Sequence, residues 1–241
     1  MLSMLVLGNS HLTALAQAYA LRCQQNSAPP RLEFVRFNDP RFAGALHAEA
    51  LAAVLQEKLL AGPYDLYVSM VGGNDHSVLG MLNHPRLFDF VLPEAPGLAL
   101  TPGAEILPAG LVMELLHKRI EPHVKMLAAL RSALPGQRLV HVQSPPPVPS
   151  ARHIATYPGV FADLIAERGV SPAALRYKLW RLHSSLYRQS CAGLGVGFLP
   201  VPAKMCDAEG MMVEQAWNHD PTHGNTVYGA HVLGQLVDYA A

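Results

Sequence analysis

Apolar positions follow two rhythms along this chain. Met4–Leu7 is a short unbroken apolar run. From Leu12 to Gln25 the spacing becomes helical, with Leu12, Leu15, Ala16, Tyr19 and Ala20 on one face. Pro29 and Pro30 end that pattern, and Leu32–Phe37 reads as a second strand. Leu46–Leu60 is rich in Ala and Leu and predicts a helix, closed by Gly62-Pro63. Asp65–Val71 is a third strand, apolar enough to be buried on both faces. From Gly72 to Gly110 the pattern is irregular, with five prolines. So long a loop is uncommon in a compact domain and is often functional. Leu111–Ala133 is helical, and Pro122 predicts a kink or break in it. Gln137–Gln143 is a fourth strand, ended by Ser144-Pro145-Pro146-Pro147. Val148–Gly169 predicts a loop with a short helix around Phe161–Glu167. Ser171–Ala192 opens with Ser at the N-cap and Pro at the first helical position. Val196–Val201 is a fifth strand, and Val227–Ala240 closes the chain as a helix.

Strands separated by helices predict a parallel sheet, because parallel neighbours need crossover connections. The expected fold is a three-layer α/β/α sandwich with a five-stranded parallel, flavodoxin-like sheet in the order 2-1-3-4-5. It would form one domain over residues 1–241, with loop insertions near 76–110 and 144–169. Ligands in such sheets bind beyond the carboxyl ends of the strands. Ser10, Gly72–Asn74 and Ser144 would all meet at that edge.

Composition narrows the function without naming it. The chain has 241 residues, half of them apolar and 15% charged, with a formal net charge of zero. That balance argues against a surface built for nucleic acid or acidic lipid. No apolar run approaches the roughly 18 residues of a membrane span. The N-terminus lacks the basic region of a signal peptide. Cys23, Cys191 and Cys206 show no metal-ligand spacing and read as reduced thiols, with Cys23 expected in the core. These features together predict a cytoplasmic protein.

Three short blocks carry candidate chemistry. Gly8-Asn9-Ser10-His11 stands between the first strand and first helix. Backbone N–H groups and the positive helix end converge there, which suits a serine nucleophile beside a developing oxyanion. Gly72-Gly73-Asn74-Asp75 follows the third strand. Its glycines allow close backbone approach, and Asn74 supplies an amide donor. Asp220-Pro221-Thr222-His223 precedes the last helix. A carboxylate three residues before a histidine can accept from its Nδ1–H and leave Nε2 free to take a serine proton. Each block alone also reads as an ordinary turn or helix cap. Together they fit acyl transfer: Ser10 as nucleophile, His223 as base, Asp220 as its orienter.

The three blocks, in this order and at these places, resemble the SGNH (GDSL-like) hydrolase family across almost the whole chain. There Gly8-Asn9-Ser10 matches the nucleophile block, Gly72-Gly73-Asn74-Asp75 the Gly-x-Asn-Asp block, and Asp220-Pro221-Thr222-His223 the Asp-x-x-His block. The resemblance implies an esterase working through an acyl-serine intermediate, without cofactor or metal. It implies an oxyanion hole from the Ser10 N–H, Asn74 and a glycine after the second strand, for which Gly44 is the nearest candidate. Asn9 stands where the family usually has Asp, and His11 where it often has Leu. His11, Gly73, Asp75 and His76 flank the site as candidate substrate contacts. The substrate would be an acetyl or other acyl ester of a small molecule or carbohydrate. Acyl transfer to another hydroxyl uses the same residues.

Two further readings stay open. Asn9-x-His11 and Asn74-Asp75-His76 resemble metallophosphoesterase blocks loosely, with the order wrong and the central block missing. A non-catalytic binding module could also keep the fold. Arg176, Lys178, Arg181 and Arg188 share one helix and predict a solvated face, whereas Trp180, Leu186 and Tyr187 read as packing residues.

Overall fold

In a computed structural model the chain is described at all residues except 26–28, 38, 43–45 and 48–49. Five strands form the main sheet: β1 (Ser3–Gly8), β2 (Arg31–Arg36), β3 (Leu66–Met70), β4 (Leu139–Val142) and β5 (Gly197–Leu199). Their order is β2-β1-β3-β4-β5 and every pairing is parallel. This is the expected flavodoxin-like order.

The layers follow from the period of two along each strand. Met4 and Val6 of β1 face one side, Leu5 and Leu7 the other. On the first side lie α1 (Leu12–Gln25) and α8 (Thr226–Ala240), with Leu12, Leu15, Val232 and Leu236 packed on the strands. On the second side lie α2 (Ala53–Leu60), α4 (Ala109–Ala133) and α7 (Ala173–Leu194), through Leu55, Leu127, Leu130 and Cys191. A third cluster joins Phe90 and Leu92 to Val112 and Leu116 of α4 and Leu179 and Leu182 of α7.

Several expectations need correction. Leu46–Leu60 is not one helix: Leu46–His47 pairs antiparallel with Ala50–Leu51, and α2 starts only at Ala53. Ala and Leu favour helix only weakly per residue, and strand pairing overrides that preference here. The 72–110 segment is not structureless. It holds α3 (Asp75–Gly80) and a parallel pair, Phe88–Asp89 with Glu105–Ile106. Residues Ala151–Thr156, expected as loop, form α5, capped by Ser150 accepting from the His153 N–H; α6 (Ala162–Arg168) is the expected short helix. Helix α4 runs unbroken through Pro122.

Ser171 does not cap α7. Pro172 holds the cap position, and the Ser171 hydroxyl donates to the Gly80 carbonyl instead. Cys23 is exposed, because the last turn of α1 runs past the core. Arg176 and Lys178 are buried, not solvated. Arg176 donates to the Val148 and Pro149 carbonyls, and Lys178 pairs with Asp89. Trp180, Leu186 and Tyr187 pack as expected. Among the described residues no helix is long and apolar enough to cross a membrane.

Candidate active site

Ser10 lies just past the carboxyl end of β1. Leu12 N–H donates to Asn9 O (3.3 Å) and Thr13 N–H to Ser10 O (3.0 Å), so the turn passes directly into α1. The Ser10 side chain is exposed at the positive end of that helix.

At the far end of the chain, Asp220 folds its own loop. Its Oδ1 accepts from Thr222 N–H (2.9 Å) and His223 N–H (2.8 Å). The same oxygen lies 3.0 Å from His223 Nδ1, and Asn218 Nδ2 donates to Oδ2 at 2.6 Å. His223 Nε2 then stands 2.7 Å from Ser10 Oγ. Burial alone would raise the Asp220 pKa. Hydrogen bonds from His223 and Thr222 outweigh it and hold the carboxyl well below the usual range. Asp220 is therefore ionised beside the imidazole.

Neither Asp220 nor Thr222 caps α8. Asn225 does, accepting from Val227 N–H (2.8 Å) and Tyr228 N–H (3.3 Å). Its own amide donates to the Gln215 and Trp217 carbonyls, which ties the His223 loop down from both sides.

The third block approaches from β3. Gly72 and Gly73 have φ of +72° and +109°, which side-chain-bearing residues rarely adopt. A Cβ on Gly72 would stand 2.2 Å from the Tyr187 hydroxyl, and one on Gly73 2.7 Å from His11 Cδ2. Asn74 occupies the cap of α3 but makes no capping bond with its side chain. Its Oδ1 lies 3.0 Å from His11 Nε2. The His11 ring in turn packs 4.7 Å from the His223 ring. His11 thus links the Asn74 block to the His223 block. Burial, and after it the nearby His223, push its pKa down to about 3, so it is neutral.

The other flanking residues point inward. His76 is 4% exposed and its ring lies 4.9 Å from the His183 ring. Asp75 Oδ2 is 3.6 Å from His123 Nε2 and 3.8 Å from His183 Nε2, beyond good hydrogen-bond distance. Of the residues expected to touch substrate, His11 contacts Asn74 and the His223 ring and His76 contacts the His183 ring, while Gly73 leaves the space that the His11 ring fills. Gly44 lies outside the described residues. The sequence carries no local signal for Asn218, Asn225 and His183, since loop packing fixes the partners of the first two and the packing of α7 on α3 brings His183 to His76. Among the described residues no group of three or more His, Cys, Asp or Glu is arranged to hold a metal ion.

No family model and no curated protein matches the chain. Solved structures do. A lipopolysaccharide acetyltransferase periplasmic domain from Salmonella ser. Paratyphi A is 9% identical, with 98% of this chain and 82% of that one covered and a TM-score of 0.50. A carbohydrate acetylesterase from Sinorhizobium meliloti is 14% identical, covering 99% and 98%, with a TM-score of 0.48. A candidate SGNH hydrolase from Slackia heliotrinireducens is 15% identical, covering 100% and 99%, with a TM-score of 0.48. At such identities the likeness is one of fold.

Proposed function

We propose that this chain, a five-stranded parallel sheet flanked by helices, is a serine esterase of the SGNH type that cleaves an acyl ester of a small molecule or carbohydrate. The observation that carries this is a single line of contacts: Asp220 Oδ1 at 3.0 Å from His223 Nδ1, and His223 Nε2 at 2.7 Å from Ser10 Oγ.

Serine is a weak nucleophile until a base takes its proton. With Asp220 holding the Nδ1–H, His223 presents the Nε2 lone pair to Ser10. Ser10 Oγ attacks the acyl carbon as its proton passes to Nε2. The carbonyl oxygen becomes an oxyanion, received by the Ser10 backbone N–H and Asn74 Nδ2–H. A glycine N–H from the segment after β2, where Gly44 is the candidate, would be a third donor. The imidazolium then protonates the departing alcohol, leaving an acyl-serine. Water activated by His223 attacks that ester, and the acid leaves with Ser10 restored.

Exposure of Ser10 supports hydrolysis, since bulk water reaches the acyl-serine directly. The metallophosphoesterase reading lacks support, because among the described residues no group of three or more His, Cys, Asp or Glu is arranged to hold a metal ion. The decisive experiment is labelling with a fluorophosphonate, followed by mapping of the adduct and a panel of short- and long-chain esters. An adduct on Ser10, lost in His223→Ala, is the expected result. Ester turnover that survives Ser10→Ala would overturn the proposal.

A further inference from the structure

We infer that His11 is a positioning residue that locks the Asn74 side-chain amide with Nδ2 toward the reacting acyl oxygen. The inference rests on the esterase function proposed above. An asparagine amide has a donor end and an acceptor end of nearly equal size. Rotating it by half a turn would aim Oδ1 at the oxyanion and repel it. Something must therefore decide which way the amide faces.

The cap position of α3 does not decide it, since Asn74 makes no capping bond with its side chain. The contact that remains is His11 Nε2, 3.0 Å from Oδ1. A neutral imidazole carries one N–H. With the proton on Nε2, His11 donates to Oδ1 and leaves Nδ2 free for substrate. With the proton on Nδ1, two lone pairs would face each other and the amide would turn over. The His11 tautomer and the Asn74 rotamer are thus one choice. The site around His11 is consistent with that role. The ring is 7% exposed, His11 Nδ1 has no hydrogen-bond partner, and the absent Cβ of Gly73 makes the room the ring needs. Neutrality matters as well, because a cation 4.7 Å from the His223 ring would oppose the imidazolium formed in each turnover. A leucine after the serine could fill this space but could not donate.

The test has two parts. First, imidazole proton–nitrogen correlation NMR on the wild-type protein reads the tautomer without any substrate. Protonation at His11 Nε2 is expected, and protonation at Nδ1 would overturn the inference. Second, kcat and KM are measured for His11→Phe, His11→Gln, Asn74→Ala and the double variant His11→Phe/Asn74→Ala on a short-chain aryl ester. His11→Phe should lower kcat by about 10-fold or more with little change in KM. His11→Gln, which keeps an N–H donor, should recover most of that loss. In the Asn74→Ala background, His11→Phe should cost nothing further. Losses that simply multiply would show that His11 acts apart from Asn74. If His11→Phe fails to fold, the Gln variant and the tautomer still decide. Should Ser10→Ala keep full activity, the esterase function fails instead, and the NMR result stands on its own.

Discussion

Gly229 rests directly on the backbone of Ala14: a Cβ at position 229 would stand 2.1 Å from the Ala14 carbonyl oxygen. At this point α1, which starts beyond Ser10, touches α8, which starts beyond His223. The contact sets how far apart the two side chains sit. Gly229→Ala and Gly229→Val should push the helices apart by increasing amounts. Overpacking of this kind costs about 1–3 kcal/mol of stability. Urea unfolding and kcat measured on both variants should fall in the same order, with KM changing less. Equal activity in all three proteins would mean that this contact does not gauge the site.

Asp220→Asn should leave the fold intact and reduce kcat by roughly four orders of magnitude. Thr222 N–H, His223 N–H and the imidazole Nδ1 all meet one oxygen, Oδ1, while Asn218 donates to Oδ2, so an asparagine cannot keep every bond. With its oxygen in the Oδ1 place it loses the charge opposite the imidazolium; with its NH2 there it donates to Nδ1 and moves the imidazole proton to Nε2, where it faces Ser10. Steady-state kinetics beside a thermal melt separates this effect from unfolding.

In the proposed mechanism, Asn74→Ala removes one oxyanion donor. A loss of about 3–4 kcal/mol in transition-state stabilisation is expected, or roughly 10²–10³-fold in kcat, with KM little affected. A rise in KM at constant kcat would instead make Asn74 a ground-state contact.

Acid should unfold this protein early. Burial holds His11 and His141 down at about 3, His76 well below its ordinary value, and His183 below its ordinary value. The unfolded chain protonates these histidines near pH 6.5, while the folded chain does not. Stability is therefore full above that pH and falls as the pH drops toward the folded values. Each group contributes a slope of up to about 1.4 kcal/mol per pH unit. Below about pH 4 a second loss begins as Asp220, depressed in the folded state, starts to take up its proton in the unfolded chain. Urea midpoints recorded from pH 8 to pH 4 should bend downward near 6.5, and His141→Gln should flatten the slope. A midpoint that is level down to pH 5 would contradict this account.

Lys178 and Asp89 form an ion pair with both side chains fully buried and Nζ 2.5 Å from Oδ1. Asp89 also accepts from Phe90 N–H, Thr101 N–H and the Thr101 hydroxyl. Lys178→Met leaves that carboxylate buried without its cation and should cost about 3–5 kcal/mol. Adding Asp89→Asn should restore part of the loss, as measured by chemical denaturation.

The sheet was readable because each strand carries its own apolar signal and the crossovers force parallel pairing. The Asp220–His223 pair was equally local, since three residues of spacing suffice to close that loop. What sequence hides is what distant packing decides. Lys178 stands three residues after Leu175 and four before Leu182, inside the buried stripe of α7, yet its charge suggested solvent. Its partner Asp89 is drawn in by the short parallel pair of the 72–110 segment, which carries no strong periodicity. His11 offered only its place beside Ser10. The expected strand order brings its loop and the Asn74 loop to one edge, but no local pattern encodes the contact between the two side chains.

Ser10 and His223 are 213 positions apart. A chain being synthesised therefore presents its serine long before its histidine exists. Until α8 emerges and seats on α1, that serine is an ordinary alcohol with no base beside it. Under the proposed function, ester cleavage should consequently switch on only once α8 is in place, so that activity reports the seating of α8 on α1.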